Sequence, residues 1–260
     1  MKGEGLRRAA VAALFVVVAS AGFVEAQSQA TLPLPAGVNL PLPFGLGLSL
    51  YRQSQPYTID TLTLGIPGID PAVAKGVSVN NTTETAHLTF DYWALPFLDV
   101  MVLAGYLRGT TDVNLSSINI GVPLSNIEVK YKGLVYGGGF TLAGGWDKFF
   151  ATLTTQYTNT SLDTEQSSVS AWVVTPKLGY TFGKTAAWLG AMYENPEERH
   201  KGTTTVPYLG TVPYDVTLSG KDKWGYLAGV STGIGEHWLL TLEGGFGKRT
   251  SGLVHLDYRF

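Results

Sequence analysis

The last seven residues, Val254–Phe260 (VHLDYRF), alternate strictly between apolar and polar side chains. In an extended strand the apolar face comprises Val254, Leu256, Tyr258 and Phe260, and the polar face comprises His255, Asp257 and Arg259. Chain ends usually fray because they bury too little to offset the entropy of ordering them. A two-faced final strand therefore predicts that this terminus belongs to a sheet. The solvent that contacts its apolar face decides the fold.

The first 26 residues have the pattern of a cleaved export signal. A basic start precedes the apolar run Ala9–Phe23, and Val24–Ala26 places small residues at the spacing that a signal peptidase recognises. The run is shorter than the roughly 20 residues that span a bilayer as a helix. We expect residues 1–26 to be a signal peptide cleaved after Ala26, with a retained membrane anchor as the alternative.

Composition narrows the fold class. The 260 residues include 32 glycines and no cysteine, and 12% of them are aromatic but only 15% charged. After residue 26 no apolar run approaches the length of a membrane helix. A membrane protein without such helices has one remaining architecture, the closed β-barrel, because an open sheet would leave backbone groups unpaired in lipid. A soluble exported all-β protein is the alternative.

The rest of the chain divides into about ten segments with strand-like alternation. We predict a Pro-rich N-terminal segment over residues 27–43 and a β-barrel over residues 44–260, with 8 or 12 strands as alternatives to ten. Prolines predict a break in the first strand at Gln55–Pro56 and a bulge at Pro176. Long polar connections are expected near 66–82, 112–126, 161–167 and 195–221, and short corners near 94–98, 144–147, 183 and 233–236. Alternating loop length of this kind is typical of outer-membrane barrels.

Aromatic residues gather beside the short corners. They include Tyr92, Trp93, Phe97, Trp146, Phe149, Tyr180, Phe182 and Trp238, and Tyr258 and Phe260 are expected at the same level. Aromatic side chains are favoured where lipid headgroups meet acyl chains. The pattern therefore predicts an interfacial girdle around one end of a transmembrane barrel.

With these features the chain resembles Gram-negative outer-membrane β-barrel proteins as a class. The resemblance rests on the signal, the alternating strands, the aromatic corners and the terminal pattern Leu256-x-Tyr258-x-Phe260. It implies an all-β, transmembrane, antiparallel up-and-down barrel in the bacterial outer membrane. It also implies that Leu256, Tyr258 and Phe260 form a signal read by the barrel-assembly machinery.

Strand parity assigns seven titratable side chains to the barrel interior. These candidate lumen-lining residues are His87, Asp91, Lys177, Glu243, His255, Asp257 and Arg259. They either pair with one another across a packed interior or line a small channel. Scattered histidines and the lack of a carboxylate cluster at ligand spacing give no expectation of a metal, and we expect no cofactor and no catalytic residues.

The favoured function is a narrow, porin-like passive channel or transport protein for small solutes. The alternative is a structural or adhesin-like surface barrel that acts through its extracellular loops, and an outer-membrane hydrolase is the least favoured interpretation, so we do not expect an enzyme. Expected partners are outer-membrane lipid and lipopolysaccharide, the barrel-assembly machinery and small solutes. The formal net charge of −2 shows no excess of basic residues that would indicate binding to nucleic acid.

Overall fold

The computed structural model describes residues 42–64, 77–114, 127–163, 168–206 and 210–260, and within them it is all-β. The strands are β1 (Phe44–Leu64), β2 (Ser78–Leu95), β3 (Leu98–Asn114), β4 (Ile127–Trp146), β5 (Phe149–Leu162), β6 (Ser168–Phe182), β7 (Thr185–Val206), β8 (Gly210–Gly220), β9 (Trp224–Ile234), β10 (Trp238–Phe246) and β11 (Thr250–Arg259). The predicted signal peptide and most of the Pro-rich segment lie outside the described residues. In the described part of the chain, no helix is long and apolar enough to cross a membrane.

Ten of these strands form a closed ring. Each of β1–β7 pairs antiparallel with the next, β7 continues to β9, β10 and β11, and β11 returns to β1. Closure gives every strand two hydrogen-bonded neighbours, which removes the sheet edges that lipid does not tolerate. The predicted fold class, an antiparallel up-and-down barrel of about ten strands, is confirmed.

The strands are strongly tilted. The stagger can be measured by stepping around the ring from each residue to its hydrogen-bonded partner on the next strand. From Arg52 on β1, these steps through β2, β3 and β4 end at Asp163, just past the end of β5. Followed in the other direction, through β11, β10, β9, β7 and β6, they lead to Ala151 on β5. The two arrival points are twelve residues apart on one strand. A stagger of this size accompanies the roughly 35–45° tilt of closed barrels.

Apolar side chains cover the outside of the ring. Leu48, Leu88, Leu178 and Leu242 are among many large apolar residues that point outward and are exposed. Sequence parity predicted such a face, and the pattern is that of a lipid-facing belt. At the short-turn end the belt carries the predicted aromatics, including Trp146, Phe149, Phe182, Trp238 and Phe260.

A second aromatic row, which the sequence did not suggest, lies at the other edge of the belt. Its exposed members are Tyr106, Tyr136, Tyr157, Trp172, Trp224, Tyr226 and Phe246. Just beyond it, outward positions of β1–β4 become charged: Arg52, Glu84, Arg108 and Lys132 follow one another as register partners. Two girdles with a charged border on one side delimit the membrane-spanning part.

The prediction of a long loop over residues 195–221 is wrong. Strand β7 continues to Val206 and β8 returns over Gly210–Gly220. Strand β8 pairs with β7 on one side and with Tyr57–Leu64 of β1 on the other. Beyond the charged border, β1–β8 therefore form a narrower ring of eight strands, called the eight-stranded extension below. Outside the belt a strand needs no apolar outer face, and the apolar side chains of β8, Val216 and Leu218, pack inward with Tyr57 and Val79 instead.

Both proline predictions are also wrong. Strand β1 continues through Pro56, which lies between the end of its pairing with β11 at Ser54 and the start of its pairing with β8 at Tyr57. The missing N–H therefore falls where no ladder bond is lost. On β6, pairing with β7 lapses around Pro176 but resumes in the same register, so no residue is inserted and there is no bulge there.

Candidate functional site in the barrel interior

One part of the inner wall of the ten-stranded ring carries uncharged polar residues. On β4 and β5, Thr141, Thr152, Thr154 and Gln156 point inward and are partly exposed. The Thr141 and Thr154 hydroxyl oxygens lie 2.9 Å apart across the two strands. The interior of the membrane-spanning part is therefore polar on this side and leaves room beside the wall.

An ion pair crosses the interior on the other side. Lys177 Nζ on β6 lies 2.5 Å from Glu243 Oε2 on β10, although β7 and β9 separate these strands in the wall. The same carboxylate oxygen accepts a hydrogen bond of 2.8 Å from Trp188 Nε1, and Lys177 Nζ lies 5.2 Å from the Trp188 ring centroid. The Trp188 ring thus holds both charges of the pair in place.

Acidic residues and one arginine meet near the short-turn end. Arg259 Nη1 lies 2.6 Å from Asp91 Oδ2, and Arg259 Nε lies 2.6 Å from Asp257 Oδ2. Asp99 is buried close to the same group. Three carboxyl groups therefore cluster around one guanidinium at this end of the interior.

Two histidines flank a serine one layer further in. His87 on β2 and His255 on β11 are both register partners of Ser49 on β1, whose hydroxyl lies 2.7 Å from His255 Nδ1. Sequence spacing gives no signal for this pair, because residues 206 positions apart meet only when β1 and β11 close the ring. Ser49 is 3% exposed.

A buried arginine fills the point where ten strands give way to eight. Arg249 follows β10 in the short turn to β11, and only 2% of it is exposed. Its Nη1 lies 3.0 Å from Glu194 Oε2 on β7, and its Nε donates to Gln55 Oε1 on β1 at 2.9 Å. Gln53 also donates to Glu194, at 3.0 Å. The guanidinium thus joins β1 to β7 through the interior.

A second polar network and an apolar cluster around Tyr57, Val79 and Leu218 fill the eight-stranded extension. Glu198 on β7 has no exposed surface and accepts hydrogen bonds from Tyr57 Oη (2.9 Å), Tyr131 Oη (3.1 Å) and Asn81 Nδ2 (3.3 Å). His200 Nε2 lies 3.2 Å from the same carboxylate. The strands that contribute these groups surround the extension, so their side chains occupy its centre. Side chains just fill a ring of eight strands.

Burial and the Glu198 carboxylate raise the pKa of both Tyr57 and Tyr131 well above the ordinary phenol range. Both phenols therefore stay protonated and keep donating to Glu198. A buried carboxylate is stable only when such donors are present.

The seven predicted lumen-lining residues all lie in the ten-stranded part. Lys177 meets Glu243, Arg259 meets Asp91 and Asp257, and His255 lies near His87, while the three groups form separate layers. The sequence did not point to Arg249, which lies in a turn. It also did not point to Glu198, which lies in the segment expected to be a loop, or to Glu194, which lies just before that segment. Within the described ranges no three His, Cys, Asp or Glu side chains are arranged to hold a metal ion.

No protein-family model matches the chain, and no curated protein matches it in sequence. Among solved structures, the outer membrane protease OmpT from Escherichia coli is similar at 7% identity and a TM-score of 0.49, covering 90% of this chain and 100% of that one. The outer membrane protein OprG from Pseudomonas aeruginosa is 13% identical at a TM-score of 0.45, covering 85% and 99%. The translocator domain of the autotransporter NalP from Neisseria meningitidis is 14% identical at a TM-score of 0.40, covering 97% and 96%. These differ in activity, and the fold assignment rests on the hydrogen-bonded ring itself.

Proposed function

We propose that this β-barrel of the outer-membrane type is a narrow passive channel for small solutes. The observation that carries the proposal is the contrast between the two faces of the ten-stranded ring. Its outer face is an apolar belt between two aromatic girdles, whereas its inner face carries threonines, glycines and separate layers of ion pairs beside one apolar cluster (Leu103, Leu107, Tyr131, Val135 and Val169). Polar lining inside an apolar belt is what a transmembrane channel requires.

The layers of charge restrict what passes. The Lys177–Glu243 pair projects across the lumen, and the Glu198 network fills the eight-stranded extension. Only small solutes fit beside the Lys177–Glu243 pair, passage through the extension requires its side chains to move aside, and both signs of charge are present at the lining. We therefore expect low conductance and weak ion selectivity in the unmodified protein.

The test is single-channel conductance of the refolded chain in a planar bilayer, after a heat-modifiable band on a gel confirms folding. Glu243→Gln leaves Lys177 unpaired and should shift the reversal potential toward anion selectivity. Lys177→Gln leaves Glu243 unpaired and should shift it toward cations. Replacing both residues removes both charges and guards against misfolding caused by one unpaired buried charge.

Lys130→Gln serves as the matched control, because its exposed side chain points outward on β4 and contacts Glu128. It should leave conductance and selectivity unchanged. A folded barrel that stays silent under all these conditions contradicts the channel proposal.

The alternative of an adhesin-like surface barrel draws support from strand length. Strands β1 and β7 have 21 and 22 residues, about twice the 9–11 that a tilted transmembrane strand needs. Their outer halves, together with β8, form the part of the eight-stranded extension that projects beyond the belt. Removal of residues 197–220 should abolish surface binding in an adhesin, whereas a channel should still conduct, and with higher conductance because the Glu198 network no longer fills the extension.

We propose the bacterial outer membrane as the location, with its lipid, lipopolysaccharide and barrel-assembly machinery as partners. The apolar belt supports a lipid environment, and the charged border at Arg52, Glu84, Arg108 and Lys132 suits headgroup contact. We propose no enzymatic activity, since Ser49, which pairs with His255, is buried against the wall.

A further inference from the structure

The water-accessible part of the lumen lies against one side of the barrel. Four successive inward side chains of β5 are partly exposed, and so is Thr141 beside them on β4. We call these five residues the polar wall: Thr141, Thr152, Thr154, Gln156 and Thr158. A side chain on the inner face of a closed ring keeps accessible surface only where a water-sized space lies beside it. Across the ring, the inward residues Gly45, Gly47 and Ser49 of β1 are buried, so the open space lies beside the polar wall.

Most hydrogen-bonding groups of the polar wall are free. Thr141 and Thr154 contact each other, whereas the other three side chains have no hydrogen-bond partner among the described residues. Thr175 on β6, the register partner of Thr154, is only 6% exposed, and its hydroxyl likewise meets no partner in the described ranges. A threonine hydroxyl and a glutamine amide both donate and accept hydrogen bonds. The polar wall therefore offers a ligand both kinds of hydrogen-bonding group.

The polar wall carries no charge. The inward positions within residues 137–143 of β4 and 150–158 of β5 are all uncharged. Lys177, the register partner of Thr152 on β6, is already paired with Glu243. An ion at the wall would lose part of its hydration shell without gaining an opposite charge. A neutral solute that carries hydroxyl groups exchanges its hydrogen bonds to water for hydrogen bonds to the wall at no such cost.

An aromatic ring and two glycines border the polar wall. Phe150, on the same inner face of β5, lies against Gly179, where a Cβ would overlap its ring, and it remains partly exposed. Gly137 and Gly139 of β4 accept no side chain, because a Cβ at either would overlap a backbone oxygen of β5. These glycines keep open the space beside Gln156, the register partner of Gly139. Apolar surface combined with a few polar groups is usual in small-molecule sites, and an aromatic face suits the C–H groups of a sugar ring.

We propose that the polar wall is a binding site for small, neutral, polyhydroxylated solutes of the size of a hexose. Thr152, Gln156 and Thr158 bond the hydroxyl groups of the solute, and the Phe150 ring packs against its C–H groups. The proposal rests on the proposed channel function, to which it adds the class of solute and the side of the lumen that the solute follows.

Saturation-transfer difference NMR tests the site without any need for conductance. The refolded full chain is kept in micelles of a phosphocholine detergent, which contains no sugar, and is titrated with glucose. Glucuronate and protonated glucosamine have nearly the same size and shape but carry a negative and a positive charge, respectively. Glucose should give a saturable signal, and both charged sugars should give a much weaker one.

The double variant Thr152→Val/Gln156→Leu keeps the volume of both side chains and removes their hydrogen-bonding groups. It should weaken glucose binding by about tenfold or more, because each hydrogen bond contributes roughly a factor of five. Phe150→Leu should weaken binding by about threefold through the loss of the aromatic face. Thr155→Val and Phe149→Leu are the matched controls, since these neighbours on β5 point outward, and neither should change binding. If the double variant fails to fold, Gln156→Leu alone should show about half of its effect on a logarithmic scale.

Two results would overturn the site. Equal glucose affinity in the folded double variant and in Thr155→Val shows that the polar wall does not bind the sugar. Equal signals from glucose and from both charged sugars show that the lumen does not prefer neutral solutes. Glucose binding in a barrel without conductance would refute the channel and keep the site, whereas conductance without glucose binding would keep the channel and refute the site.

Discussion

At the scale of single residues, inward-facing glycines make room for the large side chains of the interior. The Trp188 ring lies over Gly229, its register partner on the neighbouring strand, and Asp91 lies over Gly45 in the same way. A side chain at either glycine would occupy space that its neighbour already fills. Part of the glycine content thus reflects the packing of the lumen rather than the number of turns.

Gly229→Ala should lower the free energy of unfolding by about 1–3 kcal/mol, the usual cost of overpacking. Its Cβ would lie 2.5 Å from Trp188 ring atoms and would push the indole away from Glu243. Gly244→Ala on β10 is the matched control, because its Cβ meets nothing within 4 Å. Guanidinium unfolding in detergent micelles measures both, and equal midpoints would contradict the packing argument.

At the scale of elements, alternation identified a strand wherever one face contacts lipid. Strand β10 shows this clearly, with Trp238, Leu240 and Leu242 on the face toward the belt and Thr241 and Glu243 on the other. Strand β8 and the outer half of β7 escaped prediction because neither has a lipid-facing apolar side; the apolar residues of β8, Val216 and Leu218, pack inward. Contacts such as Ser49 with His255 also escaped, because they depend on ring closure and carry no local signal.

The two faces of β10 should respond differently to the same charge. Leu242→Arg places a guanidinium in the apolar belt and should cost roughly 2–4 kcal/mol of folding free energy if the site lies near mid-bilayer. Thr241→Arg points to the polar interior and should cost less. Urea titration of folding into lipid vesicles compares the two variants, and equal costs would refute the assigned parity.

At the scale of the whole molecule, the chain termini of the barrel close the ring. Phe44 and Phe260 exchange two backbone hydrogen bonds of 3.1 and 3.0 Å, and their rings stack with centroids 5.8 Å apart. The sequence predicted a paired final strand, and the structure adds its partner, β1. The role of Leu256, Tyr258 and Phe260 as an assembly signal stays a prediction.

Deletion of Phe260 distinguishes a role in recognition by the assembly machinery from a role in the stability of the folded barrel. In cells it should reduce the yield of heat-modifiable barrel without affecting export, because the assembly machinery loses its terminal aromatic residue. Refolding of the same variant into lipid vesicles, which contain no machinery, should proceed nearly as for the full chain. A similar loss in both experiments would mean that Phe260 matters only for closing the ring.

The double pairing of β1 also bears on the order in which the barrel is built. Strand β8 pairs with β7 and completes a ring of eight by pairing with the outer half of β1, so this ring can close before β9, β10 and β11 have joined the barrel. The inner half of β1 then stays unpaired on one side until β11, some 200 residues away in sequence, pairs with it. Contacts this distant form slowly. An eight-stranded intermediate, closed at its outer rim and open below, is therefore the natural kinetic precursor of the finished barrel.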